Sequence, residues 1–250
     1  FWRSFDPHVA VNARAARNDA GDPQDANRER FHLQVRKRLI ELLDAYEASG
    51  ALASTSPIGG VIRELLGPFC AFANESDLEL IARVLGLSSK NQWARVNCIE
   101  TLVQKGLLVP LDMALPLLEP VVVEVAGKQW VDEQTRSLVR RALCVSLLCD
   151  KPAEAVAFVR QHMSLIGAAY EFRELIETLG AVNHEATDVL LLELMSNEST
   201  TKTCTPEIFK AMQGSRGEIV KKQFLDWLDA PATFMSTVGS EHRSALESYA

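Results

Sequence analysis

The chain has 250 residues, 47% of them hydrophobic and 24% charged, with a formal net charge of -7 from 26 basic and 33 acidic side chains. That composition is too apolar for a disordered chain and too polar for a membrane protein, and its sign repels phosphate backbones, so nucleic acid is not an expected partner. The charge is uneven: residues 1–38 hold eight Arg or Lys against five acids, a basic end that reads as a solvated helix face or a docking arm.

Val9 to Arg17 has the composition of a short arginine-rich helix, and the polar, breaker-rich "NDAGDPQDANRER" (Asn18 to Arg30) is predicted as a linker, so residues 1–30 are read as an N-terminal arm. From Phe31 onward helical spacing dominates. Leu33, Leu39, Ile40, Leu42, Leu43 and Tyr46 form a broad apolar stripe, and Ile58, Ile62, Leu65, Leu66 and Phe69 repeat it across the Gly67-Pro68 interruption. Asn74 to Asp77 offers caps for a helix over 78–85 with Gly86 as its stop. Trp93, Val96, Ile99, Leu102 and Val103 make the next face, ended by Gly106.

The most apolar stretch, "GLLVPLDMALPLLEPVVVEVAG" (Gly106 to Gly127), carries Asp112, Glu119 and Glu124, and Pro110, Pro116 and Pro120 are expected to break its helix, so a membrane span is not expected. Its "VVVEV" is the one strand-like run, too little to build a sheet. A long helix is predicted over about 131–148, then a turn at "CDKP" with Pro152 in the first turn of the next helix. In "EFRELIETLGAVNHEATDVLLLELMSN" (Glu171 to Asn197), Gly180 reads as a stop, Asn183 as the cap of the following helix and Glu185 as a favourable charge at its N-terminus. Val189 to Leu192 are four consecutive apolar residues, so that helix should be covered on several sides. Glu171, Glu174 and Glu177 read as a solvated stripe, and "SNESTTKTCTP" as a lengthened loop.

Turns of similar character start at Gly106, Cys149, Gly180 and Gly214, separated by 43, 31 and 34 residues. Such spacing marks helix pairs stacked in an array. Six pairs are drawn: 31–48 with 58–72, 76–86 with 91–105, 111–125 with 130–148, 152–162 with 167–179, 184–196 with 206–213, and 217–229 with 240–249. The expected fold class is therefore all-α, an α-solenoid of about six antiparallel helix pairs over residues 31–250.

"ELIETLGAVNHEATDVLLLELMSN" resembles the junction of two HEAT repeats, where a helix ends at a Leu-Gly turn and the next begins with a polar cap before a Leu-rich run. "WARVNCIETLVQKG" (Trp93 to Gly106) and "SLVRRALCVSLLCD" (Ser137 to Asp150) similarly resemble the second helix of such repeats. The resemblance, to the HEAT-like or armadillo-type superfamily, covers roughly residues 76–230 and implies a binding scaffold rather than one particular protein. Pro116, Pro120 and the loop before Pro206 depart from the pattern.

Catalytic and cofactor motifs are not found. There is no GxxxxGK[ST] loop, no GxGxxG after a strand, no GxSxG elbow, and His8, His32, His162, His184 and His242 lack HxxxH or HExxH spacing. No catalytic residue, cofactor site or metal site is assigned. Cys70, Cys98, Cys144, Cys149 and Cys204 are odd in number, scattered and without a CxxC pair, as fits small buried hydrophobes in a reducing compartment; cytoplasmic location is the expectation. Cys144 and Cys149 would be turned about 140° apart on one helix and cannot share a metal from one face. Trp93, Trp130 and Trp227 read as core wedges. The chain begins at Phe1 with no basic run ahead of an apolar one, so the expectation is a fragment of a longer protein without a signal peptide.

The polar residues singled out for binding are basic ones on predicted second helices: Arg95, Arg136, Arg140 and Arg173, with Arg141 beside them. The resemblance implies that these helices line the concave face of the array. A planar, multi-donor guanidinium suits an acidic segment of a protein partner. The competing reading is an intrahelical pair of Asp132 with Arg136, worth about 0.2–0.5 kcal/mol. The functional expectation is a non-catalytic helical-repeat scaffold for protein–protein interaction within a larger cytoplasmic protein. The alternatives are the sensor or regulatory arm of a signalling NTPase, and a HEAT-like DNA glycosylase, which the net charge opposes.

Overall fold

Apolar residues at three- and four-residue spacing become helices along the whole described chain. The computed structural model describes residues 6–19, 26–49, 57–87, 92–126, 131–167, 169–196, 198–215 and 217–230. Among the described residues there are twelve α-helices, three short 3-10 segments and no strand. They are α1 (Pro7–Asp19), α2 (Ala26–Ser49), α3 (Pro57–Phe72), α4 (Leu78–Leu87), α5 (Gln92–Gln104), α6 (Leu111–Ala126), α7 (Glu133–Leu147), α8 (Pro152–His162), α9 (Arg173–Val182), α10 (Glu185–Ser196), α11 (Glu198–Gly214) and α12 (Glu218–Asp229). The fold is all-α, as the periodicity predicts. No helix among the described residues is long and apolar enough to cross a membrane.

The chain divides into two compact units, Val9–Lys128 and Gln129–Ala250 together with Phe1–His8. In the N-terminal unit α2 packs on α3, α3 on α4 and α5, and both α4 and α5 on α6. Leu39, Leu43, Phe69, Ile81, Ile99 and Leu102 are fully buried there. Each such side chain removed from water contributes about 1.5–3 kcal/mol before the entropy of ordering it is subtracted. Gly106 ends α5 with φ +77°, and the backbone of Ala13 and Arg14 on α1 lies 2.6 Å from where its Cβ would stand. Only glycine satisfies both conditions.

In the C-terminal unit α7 packs on α8 and α9, α8 on α10, α9 on α10 and α11, and α10 on α11 and α12. Residues 141–149 are all buried, so α7 is enclosed on every side over its last two turns. Leu190 and Leu191 are buried but Val189 and Leu192 only half-buried, so the covering expected on several sides is incomplete on the face they share. Phe209, Phe224 and Trp227 seal α11 against α12, with Phe224 edge-on to both neighbours at ring centroids of 5.2 and 5.5 Å.

Several expectations are corrected. The linker reading of residues 18–30 fails at both ends, because α1 runs to Asp19 and α2 starts at Ala26; residues 20–25 lie outside the described residues. α6 runs unbroken through Pro116 and Pro120. A proline inside a helix removes one hydrogen bond and frees the carbonyl four residues earlier. Here Pro116, Pro120 and the preceding Asp112 all lie on the exposed side, while Leu111, Ala114, Leu117, Leu118, Val121 and Val125 face the core. The same holds for Pro206, exposed inside α11, and the lengthened loop drawn over 196–206 is helix from Glu198 onward.

Gly180 does not stop its helix. α9 continues to Val182 and ends at Asn183, which takes the left-handed conformation at φ 51°, ψ 58°. Asn183 is therefore the C-terminal cap of α9 and not the N-terminal cap of α10. That second role falls to His184, whose Nδ1 accepts from the Ala186 N–H at 3.1 Å. Asp132 caps α7, accepting from the Thr135 N–H and hydroxyl at 2.8 Å each, and these bonds hold its carboxyl below the usual range. Of the tryptophans, Trp227 is buried and Trp93 half-buried. Trp130, Trp2 and the helix drawn over 240–249 lie outside the described residues.

Candidate functional site

Helices that contact their second neighbours bring side chains some 34 residues apart into reach of one another, and the arginines make this visible. In the C-terminal unit the Arg136 Nε on α7 stands 3.8 Å from Glu171 Oε1, and its Nη2 donates to Glu133 Oε2 at 3.3 Å. Arg140, one turn on, donates from Nε to Glu174 Oε2 at 2.9 Å. Arg173 on α9 pairs with Glu207 on α11 at 2.8 Å. On the other helices of the unit, Arg160 of α8 grips Glu193 of α10 with two parallel bonds of 2.9 and 2.7 Å. Each of these inter-helix partners lies 33 to 35 residues downstream of its arginine.

Three of the four arginines singled out in the sequence therefore hold internal carboxylates. The pairs are unequal. Arg140 and Glu174 have side chains 15% and 24% exposed, whereas Arg160 and Glu193 are 39% and 48% exposed. The first is screened least by water and contributes most. Glu171 is not the solvated residue expected of an acidic stripe: its side chain is buried under the Gly167 turn, where φ is +104° and a Cβ would collide with its carboxylate. Arg141 is buried on α7.

Arg95, the fourth, lies in the N-terminal unit on α5 and is 6% exposed. Its Nε is buried without a hydrogen-bond acceptor, and burial lowers its pKa from the ordinary arginine value. No ion pair joins it to a described residue. Its Nε is shielded while the terminal nitrogens remain open to solvent, so the head of the guanidinium is available to an external acceptor.

A second buried polar centre in the same unit was not read from the sequence. Asp77, fully buried at the start of α4, accepts from His32 Nε2 at 2.8 Å, Arg36 Nε at 3.0 Å and the Asn74 backbone N–H at 3.0 Å. His32 stacks on Phe69 with ring centroids 4.9 Å apart and planes 6° from parallel. The Asn74 to Asp77 capping box was legible, since Asn74 also accepts from the Ser76 N–H at 2.9 Å. Its use as the anchor of α2 was not. Among the described residues no three His, Cys, Asp or Glu side chains come close enough to hold a metal ion. A shallow open groove on α10 is lined by Val189, Leu192, Glu193 and Ser196, with the Arg160–Glu193 pair at its edge. Comparison with protein-family models, curated proteins and solved structures finds no match, so the functional reading rests on the residues and geometry of this chain.

Proposed function

We propose that the chain is a non-catalytic scaffold, an α-solenoid of HEAT-like antiparallel helix pairs that docks an acidic segment of a protein partner within a larger cytoplasmic protein. Two features support the solenoid reading. Helices contact their second neighbours in succession, α3 to α5 and α4 to α6 in one unit, α7 to α9 to α11 and α8 to α10 to α12 in the other. The ion pairs that join them recur at 33 to 35 residues, the length of one helical hairpin repeat.

The observation that carries the docking reading is Arg95. Arg136, Arg140 and Arg173 already have internal carboxylates, so an incoming acid would have to displace Glu171, Glu174 or Glu207. Arg95 has no such competitor, and a partner carboxylate brought to it would supply the acceptor that its Nε lacks.

The test is binding of a panel of acidic peptides to the wild-type chain and to Arg95→Met, which keeps the aliphatic stem and removes the charge. Loss of binding by tenfold or more in the variant, at unchanged helicity and Tm, is the expected result. Equal binding by the variant overturns the assignment of Arg95. The repeat reading is tested separately by removing the segment from residue 217 onward: a solenoid keeps the cooperative unfolding of the remaining repeats. Collapse of the whole chain on that truncation argues against it.

A further inference from the structure

Five cysteines are dispersed along the sequence, yet two of them meet. Cys70, on α3, and Cys98, on α5, come from helices that pack directly on one another, and their sulfurs are 2.7 Å apart. Both are free thiols, 2% and 6% exposed. A disulfide bond is about 2.05 Å long, so a shift of less than about 1 Å converts this contact into a bond. The surrounding helix ends are pinned at the same place. Lys105, just beyond α5, donates from Nζ to the Ala73 carbonyl at 2.8 Å and the Cys70 carbonyl at 3.4 Å, closing the last turn of α3. Phe69 and Ile99, the neighbours of the two cysteines in sequence, are fully buried, which fixes both backbones.

We propose that Cys70 and Cys98 form an oxidisable dithiol, a modification site whose substrate is a hydroperoxide and whose product is a disulfide clipping α3 to α5. One sulfur, as its thiolate, attacks the peroxide oxygen; the O–O bond breaks and a sulfenic acid and hydroxide result. That hydroxide takes the proton given up when the first thiol ionised, making one water; the second sulfur then displaces hydroxide from the sulfenic sulfur, the S–S bond forms, and the second thiol's proton completes the second water. Two thiols lose two electrons in all, and one peroxide is reduced to two waters. Peroxide is the oxidant of choice because it is small enough to reach a pair that larger disulfide reagents cannot. The hydrogen bond to Cys70 and burial together push the Cys98 thiol up, which lowers its thiolate fraction at neutral pH and makes oxidation faster as pH rises. Once formed, the bond closes the loop between residues 70 and 98 and prevents α3 from separating from α5.

The experiment treats the folded wild-type chain with hydrogen peroxide at pH 8, blocks remaining thiols, and maps the peptides without reduction. The expected result is a linked pair of peptides containing Cys70 and Cys98. The oxidised sample should also unfold about 5–15 °C higher than an aliquot of itself reduced with dithiothreitol, a comparison that cancels irreversible oxidation elsewhere. Cys98→Ser should abolish both the link and the difference, and Cys204→Ala should leave both. Full alkylation of Cys70 and Cys98 after peroxide treatment overturns the proposal, as does oxidation of either to sulfinic acid without the link.

Discussion

Gly180 of α9 and Ala211 of α11 lie so close that a Cβ on the glycine would stand 2.7 Å from the alanine Cβ and 2.9 Å from its Cα. The glycine is there for helix contact, not for termination. Gly180→Ala gains about 1 kcal/mol of helix propensity but must push α11 aside, at about 1–3 kcal/mol for overpacking against a backbone that cannot rotate away. The net expectation is destabilisation, read as a lower urea midpoint. Gly60→Ala is the matched control: nothing stands within 4 Å of its Cβ, and it sits in α3. It should raise stability by roughly 0.5 kcal/mol.

Asp77 gathers three donors in a site with no access to water. Replacing it with alanine strands the His32 Nε2–H, releases Arg36 and opens the cap of α4. Loss of a buried hydrogen-bonded carboxylate of this kind costs about 2–4 kcal/mol, discounted because the Arg36 side chain is 40% exposed. Asp77→Ala should lower the unfolding midpoint accordingly, and Arg36→Ala by well under half as much. Equal losses from the two variants would mean that the arginine, and not the histidine and backbone contacts, holds α2 to α4.

Helix existence was legible from periodicity where a helix buries one continuous face, as α6 does despite two prolines. What periodicity could not reach was tertiary. Glu174 and Glu207 look like solvated acids when each helix is read alone, and become partners only when the helix 34 residues earlier is laid beside them. The signal was present: the turns at Gly180 and Gly214 are themselves 34 apart, and projecting Arg140 forward by that interval lands on Glu174. The Cys70–Cys98 contact had no such signal, since 28 residues matches neither a helical period nor the turn spacing, and depends on how α3 lies on α5. Gly180 misled for a related reason: a glycine needed for close packing and a glycine that ends a helix look the same in sequence.

Asp188, on α10, is 1% exposed; it accepts from the Ser215 hydroxyl at 2.7 Å on one oxygen and has no hydrogen-bond partner on the other. Burial pushes its carboxyl above the ordinary value of 3.8, opposed by the Ser215 bond and the nearby His184. The folded state therefore holds the proton more tightly than the unfolded state. Stability from this group is full below about pH 3.8, falls as pH rises through the folded value, and is flat above it. Asp188→Asn keeps an oxygen for Ser215 and removes the charge. It should match wild type in Tm at pH 3 and exceed it at pH 7. A variant less stable than wild type at both values would show that the ionised carboxylate is needed in the fold.

Arg140 and Glu174 decide how the arginine series is divided between folding and binding. Their 2.9 Å contact is largely shielded, so a double-mutant cycle with alanine at each position should give a coupling of about 1–2 kcal/mol in urea unfolding. The same cycle on the exposed Arg160–Glu193 pair should give about 0.2–1 kcal/mol and shrink further in 0.5 M salt. Arg140→Ala and Glu174→Ala should each cost more than the exposed pair's variants, because each leaves a half-buried charge without its partner. The exchanged chain, Arg140→Glu with Glu174→Arg, should recover part of the loss. A coupling near zero at this position would mean that Glu174 does not occupy the guanidinium. Arg140 would then be open to an external carboxylate.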